Sequence, residues 1–383
     1  MRVKLHGGFG EKGRTSIGIE GAGYRLLLDA GVNTSASGTA DYYPRITQAE
    51  LRATDALVVT HGHEDHVAAL GWCIAQGFRG RILMTAQTRR DAAVALDAYA
   101  ESAHVDAWRA TPVEDLPLGV DAATLGPFAI TTGRSGHVAG GVWLAIRDGS
   151  KRFTYCGDVL PSSNVFAMDA LPACEALAID ASYGDDAIGG DERARQIAAW
   201  IAGHAAGCVL ATPLYGRSAE LLALVEGPLA LATGMRDALR AQLHERDWLI
   251  EGTTQRLSAR VDAAIDWIEG QPLPSAALLC HDGMGMAGPA RTILAAARGS
   301  GHPTLFTGHL PDGSPGQRMV SERAAEWIRL PTHPTLRENA ALVAASGASV
   351  VLGHSCDAQA LAALGRHVPQ LRVALRTGDV VDL

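Results

Sequence analysis

Short apolar runs that end in Gly, Asp or His turns dominate the first half of the chain. Five such runs, each about five residues long, are Tyr24–Asp29, Ala56–Thr60, Arg81–Thr85, Val142–Arg147 and Arg152–Cys156. Runs of this length that are bounded by turn residues predict buried β-strands. Because loops at strand ends often carry functional side chains, we expect the chemistry of this region in the polar turns after the strands.

The apolar spacing becomes helical in the region from Asp191 to about Gly299. This spacing predicts helices at Arg193–Ala206, Met235–Leu249, Gln255–Glu269 and Pro289–Arg298, and strands at Cys208–Thr212 and Ala276–Cys280. In the tail we predict helices at Leu336–Ala345 and Asp357–Leu364 and strands at Ser349–Leu352 and Leu371–Leu375. The simplest organisation is an α/β domain, residues 1–187 and 326–383, interrupted by an insert at 188–325.

Composition narrows the class of protein. Of the 383 residues, 47% are hydrophobic and 19% charged, and the net charge of −8 argues against a broad basic surface for nucleic acid. A narrow groove with metal ions and a few arginines remains compatible with that charge. The six cysteines form no CxxC pair, the first residues contain no secretory signal, and no apolar run is long enough for a membrane span. We therefore expect a soluble, cytoplasmic protein.

The strongest chemical signal is the sequence THGHEDH, which directly follows the predicted strand Ala56–Thr60. Imidazoles and carboxylates at this density are costly to bury unless they bind partners. Alternation puts His61 and His63 on one side, and Asp65 and His66 follow as the chain turns into a helix. Two such pairs could serve two adjacent metal ions, and N/O ligands of this kind suit Zn, Mn or Fe.

Two later turns add what a closed dinuclear site still lacks. His137 lies among glycines in SGHVAGG, just before the predicted strand Val142–Arg147, and Asp158 follows Gly157 at the end of YCGD. Each signal is weak alone, since a histidine beside glycine is more often a turn residue. Together with THGHEDH, in this order and each beside a predicted strand, they indicate a dinuclear metal centre in which one carboxylate bridges two ions.

The motif series LLLDAG, HGHEDH, GHVAGG and CGD resembles that of the metallo-β-lactamase superfamily. This resemblance implies an αββα sandwich that binds two divalent metal ions, with Zn first and Mn as the alternative. It implies that the first metal is bound by His61, His63 and His137, the second by Asp65 and His66, with Asp158 bridging them. Asp29 would orient the ligand histidines from behind.

The second half resembles the β-CASP group, the nucleic-acid-processing branch that includes ribonuclease J and the endonuclease of pre-mRNA 3′-end cleavage. The likeness is carried by IDASYG, CVLATPLYGRSAE, PTHP and VVLGHS. It implies that residues 188–325 form an inserted β-CASP α/β domain. By the same resemblance Asp180 is the acidic residue of motif A, His333 the histidine of motif B, and His354 the histidine of motif C, which would complete the second metal site.

The resemblance implies a phosphodiesterase acting on RNA, because a motif C histidine is associated with RNA substrates in that group. A hydroxide held by the metals would attack the phosphate in line, with His333 near the leaving group and Asp180 as its partner. We expect substrate contacts from Arg217, His309 and His281. The loop around His281 reads HDGM where the family has a small turn ending in Gly-Met, so the substrate could be a short oligonucleotide or a specific structured RNA rather than bulk transcript. We expect RNA, single-stranded or short, as the partner.

Three other functions stay open at this point. A small-molecule ester or lactone hydrolase has the same fold but would not need Asp180, His333 and His354 in this order. A DNA nuclease would share the dinuclear centre. A catalytically silent binding subunit would have lost metal ligands, whereas every expected ligand is present. The sequence leaves open whether the protein forms a homodimer.

Overall fold

The computed structural model describes every residue from Met1 to Leu383, and the chain folds into two compact units. The first unit comprises Met1–Pro161, Met168–Ala187 and His333–Leu383, and the second comprises Ser162–Ala167 and Ile188–Thr332. The predicted insert at 188–325 lies inside the second unit. That unit is longer than predicted because it also includes residues 162–167 and 326–332, the latter containing a strand of its sheet.

The strands follow one another along the whole chain. In order they are β1 Arg2–Gly7, β2 Phe9–Gly10, β3 Ser16–Gly21, β4 Tyr24–Leu28, β5 Ala56–Val58, β6 Arg81–Met84, β7 Glu114–Asp115, β8 Gly119–Leu125, β9 Phe128–Arg134, β10 Val142–Asp148, β11 Lys151–Tyr155, β12 Ala176–Asp180, β13 Cys208–Ala211, β14 Leu229–Ala232, β15 Ile265–Trp267, β16 Ala277–Cys280, β17 Thr304–Phe306, β18 Glu326–Trp327, β19 Val350–His354, β20 Cys356–Asp357 and β21 Val380–Asp382.

The helices occur between these strands, and several begin at a side chain that caps the first turn. In order they are α1 Thr39–Tyr42, α2 Gln48–Arg52, α3 Glu64–Val67, α4 Leu70–Ala75, α5 Ala86–Tyr99, α6 Ser102–Arg109, α7 Gly190–Gly203, α8 Arg217–Leu224, α9 Met235–His244, α10 Thr253–Ala263, α11 Ala290–Ser300, α12 Pro315–Ser321, α13 Leu336–Ser346 and α14 Ala358–Gly365. Thr47 before α2 and Thr335 before α13 form capping boxes with Glu50 and Glu338, which satisfy amides that the helix cannot bond itself.

The first unit contains two mixed sheets. One has the order β21-β1-β3-β4-β5-β6-β7, and the other has the order β19-β12-β11-β10-β9-β8. In the first sheet β4 to β7 are parallel, and in the second β11, β12 and β19 are parallel. The carboxyl ends of parallel neighbours meet at one edge of a sheet, so the turns after these strands can build a common site.

Helices cover the sheets with separate apolar clusters. One cluster joins Leu27 and Leu57 of the first sheet to Leu70 and Leu96 of α4 and α5, and another joins Leu177 and other residues of the second sheet to α13 and α14. Contacts such as the edge-on packing of Tyr24 against Phe128 connect the two sheets directly. The first unit is therefore the predicted αββα sandwich.

The second unit contains one fully parallel sheet with the order β15-β14-β16-β13-β17-β18. Its four central strands are buried along their whole length, as expected of a parallel sheet covered by helices. The α/β character predicted for the insert is therefore what the structure has. None of the helices in the chain combines the length and apolar character required to span a bilayer.

Three predicted elements differ in the structure. The predicted helix Met235–Leu249 ends at His244, and a short 3₁₀ turn at Arg246–Trp248 follows it. The predicted helix Gln255–Glu269 ends at Ala263, because Ala264 is extended and the next three residues pair with β14 as edge strand β15. The predicted strand Leu371–Leu375 is wrong, because only Leu371 bridges Val351 and only the Arg372 amide bonds to the Val351 carbonyl. The amides of Val373 and Leu375 bond to carbonyls two and three residues back. The C-terminal strand is instead β21, which pairs with β1.

Candidate metal centre

Asp29 forms the buried base of the site. It follows β4 in a left-handed conformation with φ of +59° and is inaccessible to solvent. Its Oδ1 accepts a hydrogen bond from the Thr60 amide at 2.7 Å, and its Oδ2 accepts from Thr60 Oγ1, His66 Nδ1 and Tyr155 Oη at 2.6 to 2.8 Å. Because His66 donates through Nδ1, its Nε2 carries the lone pair that could bind a metal.

Two glycines allow the loops to approach each other at this base. A Cβ on Gly31 would lie 1.7 Å from the Asp65 carbonyl oxygen. Gly157, at φ +55°, would place a Cβ 2.8 Å from Thr60 Oγ1. The turn before Asp158 therefore requires glycine both for its conformation and for its packing.

The first group of ligand atoms comes from His61, His63, His137 and Asp158, which lie within 4.8 Å of one another. His63 Nδ1 is 3.0 Å from His137 Nε2. Asp158 Oδ2 is 3.6 Å from His61 Nε2 and 3.7 Å from His137 Nε2. Three imidazoles and one carboxylate at this spacing suit a divalent cation with nitrogen and oxygen ligands.

The second group consists of Asp65, His66 and again Asp158. His66 Nε2 lies 3.1 Å from Asp158 Oδ1 and 3.9 Å from Asp65 Oδ2. Asp158 thus presents Oδ1 to one group and Oδ2 to the other. This sharing of one carboxylate is the geometry that a bridging ligand between two metal ions requires.

Buried polar atoms without a protein hydrogen bond test whether a cation fits. His61 Nε2, His66 Nε2, Asp158 Oδ1 and His354 Nε2 are all buried and accept no hydrogen bond from the protein. Buried polar atoms are normally paired, because leaving them unpaired costs free energy. Since three of the four lie within the two ligand groups, the residues present fit divalent cations.

His354, at the end of β19, is placed less directly than the other predicted ligands. Its Nδ1 lies 2.9 Å from Ser355 Oγ, and its ring centroid is 6.1 Å from that of His66. It is not among the residues whose ligand atoms meet within 4.8 Å. Its buried Nε2 agrees with a ligand that completes its contacts only around an ion, so its role stays a prediction.

The charges of this cluster shift pKa values in opposite directions. Burial and repulsion by His66 hold the pKa of His61 well below its ordinary value, so His61 is neutral and able to ligate. Burial would lower the pKa of His66, but Asp158, Asp65 and Asp29 outweigh it and raise that pKa well above the ordinary value. In the protein alone a proton therefore neutralises these carboxylates, and a cation at the same place would displace it.

His333 and Asp180 form a separate pair beside Asp158. His333 Nδ1 is 2.8 Å from Asp180 Oδ2 and 3.5 Å from Asp158 Oδ2. Asp180 is fixed in turn by the amide and hydroxyl of Ser182, at 3.1 and 2.6 Å. Burial opposes a charge on His333, but the two carboxylates outweigh it and raise the pKa of His333 to about 10. The imidazole is therefore protonated at neutral pH.

The three predicted substrate contacts all lie in the second unit. Arg217 begins α8 after β13, and its Nη2 donates to Thr332 Oγ1 at 2.9 Å. His281 follows β16 and is half-buried, which lowers its pKa, and His309 follows β17. The strands β13, β16 and β17 are parallel neighbours, so the structure gathers these residues at the carboxyl edge of one sheet.

Sequence reasoning did not assign the residues that hold the ligands in place. Thr60, Tyr155 and Ser182 each occur inside a motif quoted for its neighbours, and each donates to Asp29 or Asp180. The sequence pattern that could have indicated these residues is a hydroxyl side chain at the end of an apolar strand, directly beside a candidate ligand. Such a residue is worth testing as a partner of the buried carboxylate whenever one is predicted.

Comparison with known proteins agrees with this geometry. A family model described as a β-lactamase superfamily domain matches residues 24–212. A transcription termination factor, FttA, of Lokiarchaeum is 25% identical over 372 residues, covering 84% of this chain and 57% of the relative. Endoribonuclease YSH1 of Kluyveromyces lactis is 36% identical over 90 residues, covering 23% of this chain and 12% of the relative. The chain thus spans less than two thirds of the length of these relatives.

Among solved structures, a protein of unknown function from Enterococcus faecalis V583 is similar along its whole length. The TM-score is 0.64 at 12% sequence identity, and the alignment covers 100% of this chain and 99% of the other. This similarity supports the fold described above across both units of the chain.

Proposed function

Because the chain belongs to the metallo-β-lactamase superfamily, we propose that it is a two-metal phosphodiesterase that cleaves RNA. The observation that carries this proposal is Asp158, whose two carboxylate oxygens face two different groups of metal-ligating side chains. The order of the motifs, which follows the β-CASP group, and a relative named as an endoribonuclease support RNA as the substrate.

The metal ions would be held by the residues already described. We propose His61, His63 and His137 for one ion, Asp65, His66 and His354 for the other, and Asp158 for both. When bound, two divalent ions lower the pKa of water and offset negative charge on a phosphate. Zn is our first choice because three imidazoles meet in one group, and Mn is the alternative because the second group is richer in oxygen.

The protein's own part in the reaction is assigned to His333. With Nδ1 directed at Asp180, the ring presents its Nε2–H as a proton donor. Water supplies the oxygen that forms the new bond to phosphorus and releases a proton to solvent. The bond from phosphorus to the leaving oxygen breaks, and His333 gives its proton to that oxygen. Asp180 and Ser182 hold the imidazole in the orientation that this transfer needs.

A cleavage assay with end-labelled single-stranded RNA, its DNA equivalent and Asp158→Ala tests the proposal directly. We expect the wild-type protein, loaded with Zn²⁺ or Mn²⁺, to cut RNA, and Asp158→Ala to be inactive. Pure wild-type protein that has bound metal and leaves RNA intact would contradict the proposal. Cleavage of DNA in preference to RNA would contradict the substrate but retain the dinuclear chemistry.

A further inference from the structure

Trp327 is a large aromatic residue that the catalytic proposal does not use. It lies on β18, the edge strand of the second sheet, and 37% of its surface is exposed. Large aromatic residues are usually mostly buried, so an indole exposed on the strand that precedes the PTHP motif needs an explanation. Its position at the carboxyl end of a parallel strand is where α/β sheets place ligand contacts.

The indole is fixed in place by its polar atom. Trp327 Nε1 donates to the Gly308 carbonyl oxygen at 2.8 Å. Arg217 packs against Gly308: a Cβ on Gly308 would lie 2.5 Å from Arg217 Nη1, so a side chain there would displace the guanidinium. Arg217 is itself held by Thr332. The N–H is therefore used within the protein, and what the residue offers to a ligand is the surface of its ring.

The side chain of Arg329 places a positive charge beside the Trp327 ring. The guanidinium carbon of Arg329 lies 5.4 Å from the centroid of the Trp327 ring, within the range of a cation–π contact. Other exposed apolar side chains of this unit, such as Ile265 and Ile268, provide no aromatic face. Trp327 and Arg329, together with Arg217 behind Gly308, thus combine a flat apolar surface with two positive charges.

We propose that Trp327 and Arg329 form a stacking subsite for one base of single-stranded RNA, an inference that rests on the proposed function. Aromatic side chains bind unpaired bases through their flat faces, and a neighbouring arginine adds cation–π attraction and a partner for the phosphate. Stacking of this kind tolerates any base. The subsite would therefore strengthen the binding of unpaired RNA without reading its sequence, which compensates for the overall negative charge of the chain.

The experiment measures the binding of a short, non-cleavable 2′-O-methyl RNA to metal-loaded protein by fluorescence anisotropy. We expect Trp327→Ala and Trp327→Leu to raise Kd about tenfold, and Trp327→Phe to raise it less than about threefold, because only Phe retains an aromatic face. Ile268→Ala, directly after the opposite edge strand β15, should leave Kd unchanged and serves as the matched control. Equal Kd values for Trp327→Leu and the wild type would overturn the proposal.

A second arm removes the base instead of the ring. With RNA that lacks one base at successive positions, wild-type binding should weaken about tenfold at one position, and Trp327→Leu should be insensitive there. If the two losses simply add, Trp327 does not stack on a base and the proposal is wrong.

The failure of the ribonuclease proposal can be distinguished from the failure of the stacking proposal. Absence of RNA cleavage contradicts the ribonuclease, whereas cleavage by Trp327→Leu with an unchanged KM contradicts the subsite.

Discussion

The carboxyl edges of the sheets in the two units carry opposite kinds of chemistry. In the first unit the turns after β5 and β11 deliver His61 and Asp158, which are buried and have ligand atoms without a protein partner. In the second unit the turn after β13 delivers Arg217, and the end of β18 delivers the ring of Trp327. Arg217 Nη2 and Trp327 Nε1 already donate to oxygens of the protein. The same topological arrangement therefore builds a candidate cation site in one unit and, in the other, the surface that we propose for an anionic, aromatic ligand.

Burial, more than topology, decides which ligands a site at the strand ends can bind. No group of metal-ligating side chains comparable to those around Asp158 occurs in the second unit. Charges attract more strongly in a buried, low-dielectric site than in water. The attraction of His333 to buried Asp180 and Asp158, which raises the pKa of His333, is an example. The guanidinium groups of Arg217 and Arg329 are only partly buried, and salt screens the contacts of such groups more strongly. We therefore expect substitutions in the first unit to abolish chemistry, and those in the second unit to weaken binding.

Asp158→Ala should have the largest effect. Removing the carboxylate shared by both ligand groups should lose bound metal and reduce RNA cleavage by more than about a thousandfold, since metal ions supply several kcal/mol of transition-state stabilisation. Elemental analysis after dialysis and the cleavage rate check this together. Asp97→Ala, a surface carboxylate paired with Arg109, is the control. Full metal content in Asp158→Ala would contradict the bridging role.

His333→Ala should separate catalysis from metal binding. Its ring bonds to Asp180, and we propose that it gives a proton to the leaving oxygen. We therefore expect kcat to fall about 10² to 10⁴-fold while metal content stays at the wild-type level. The exposed His367→Ala should change neither quantity. If His333→Ala loses as much metal as Asp158→Ala, His333 is a ligand and the proposed division of roles is wrong.

Tyr155→Phe should weaken metal binding without removing a ligand. The phenol donates to Asp29, which orients His66, and losing such an outer hydrogen bond typically costs about 10 to 100-fold in metal affinity. Competition with a chelator of known affinity measures this change. Tyr24→Phe, at the start of β4 and so at the opposite end of that strand from Asp29, is the matched control. An unchanged affinity would mean that Asp29 and Thr60 alone fix the imidazole.

Most of the first unit could be predicted from the sequence because its chemistry is local. The ligands in HGHEDH are separated by one or two residues, and the strands before them are short apolar runs. The predicted bounds of β4, β5 and β6 are accurate at the start and one or two residues too long at the end. The extra residues are Asp29, Val59, Thr60 and Thr85. Of these, Asp29, Thr60 and Thr85 leave the strand to bond to side chains and loops.

What the sequence left open depends on contacts between distant segments. The edge strands β15, β18 and β21 are two or three residues long and exist only because a neighbouring strand pairs with them. Likewise, nothing near Trp327 in the sequence indicates that Gly308 would accept its N–H or that Arg217 would lie behind that glycine. Such relations follow from the packing of the folded unit, so only the structure reveals them.

Arg217→Ala should change RNA binding but not chemistry. If Arg217 contacts a phosphate, the substitution should raise KM about tenfold with kcat unchanged. The slope of log Kd against log salt concentration should also become smaller by about one. Arg298→Ala removes an equally charged, exposed side chain that pairs with Glu322, and should have little effect. A fall in kcat with unchanged KM would place Arg217 in the chemistry and would break the contrast between the units.

Glu220→Gln should have the smallest effect on cleavage, because it acts on the stability of the second unit. Glu220 on α8 is buried and accepts hydrogen bonds from Ser163 Oγ and the Asn164 amide, which anchors residues 162–167 to this unit. Burial outweighs these hydrogen bonds and raises the pKa of Glu220 to about 7, from 4.5. Below pH 4.5 the carboxyl is protonated in both folded and unfolded chains, and above pH 7 it is ionised in both.

The folded unit therefore binds the proton more tightly, and Glu220 contributes stability that is fully present below pH 4.5 and lost as the pH rises through 7. At about 1.4 kcal/mol per pKa unit, the loss amounts to a few kcal/mol. Hydrogen exchange of residues 162–167, corrected for intrinsic rates, should show protection falling between pH 5 and about pH 7.5 in the wild type and in the exposed control Glu226→Gln. Glu220→Gln cannot ionise and should show a flat profile; the same slope in all three proteins would mean that Glu220 is ionised throughout and that the burial of its charge costs little.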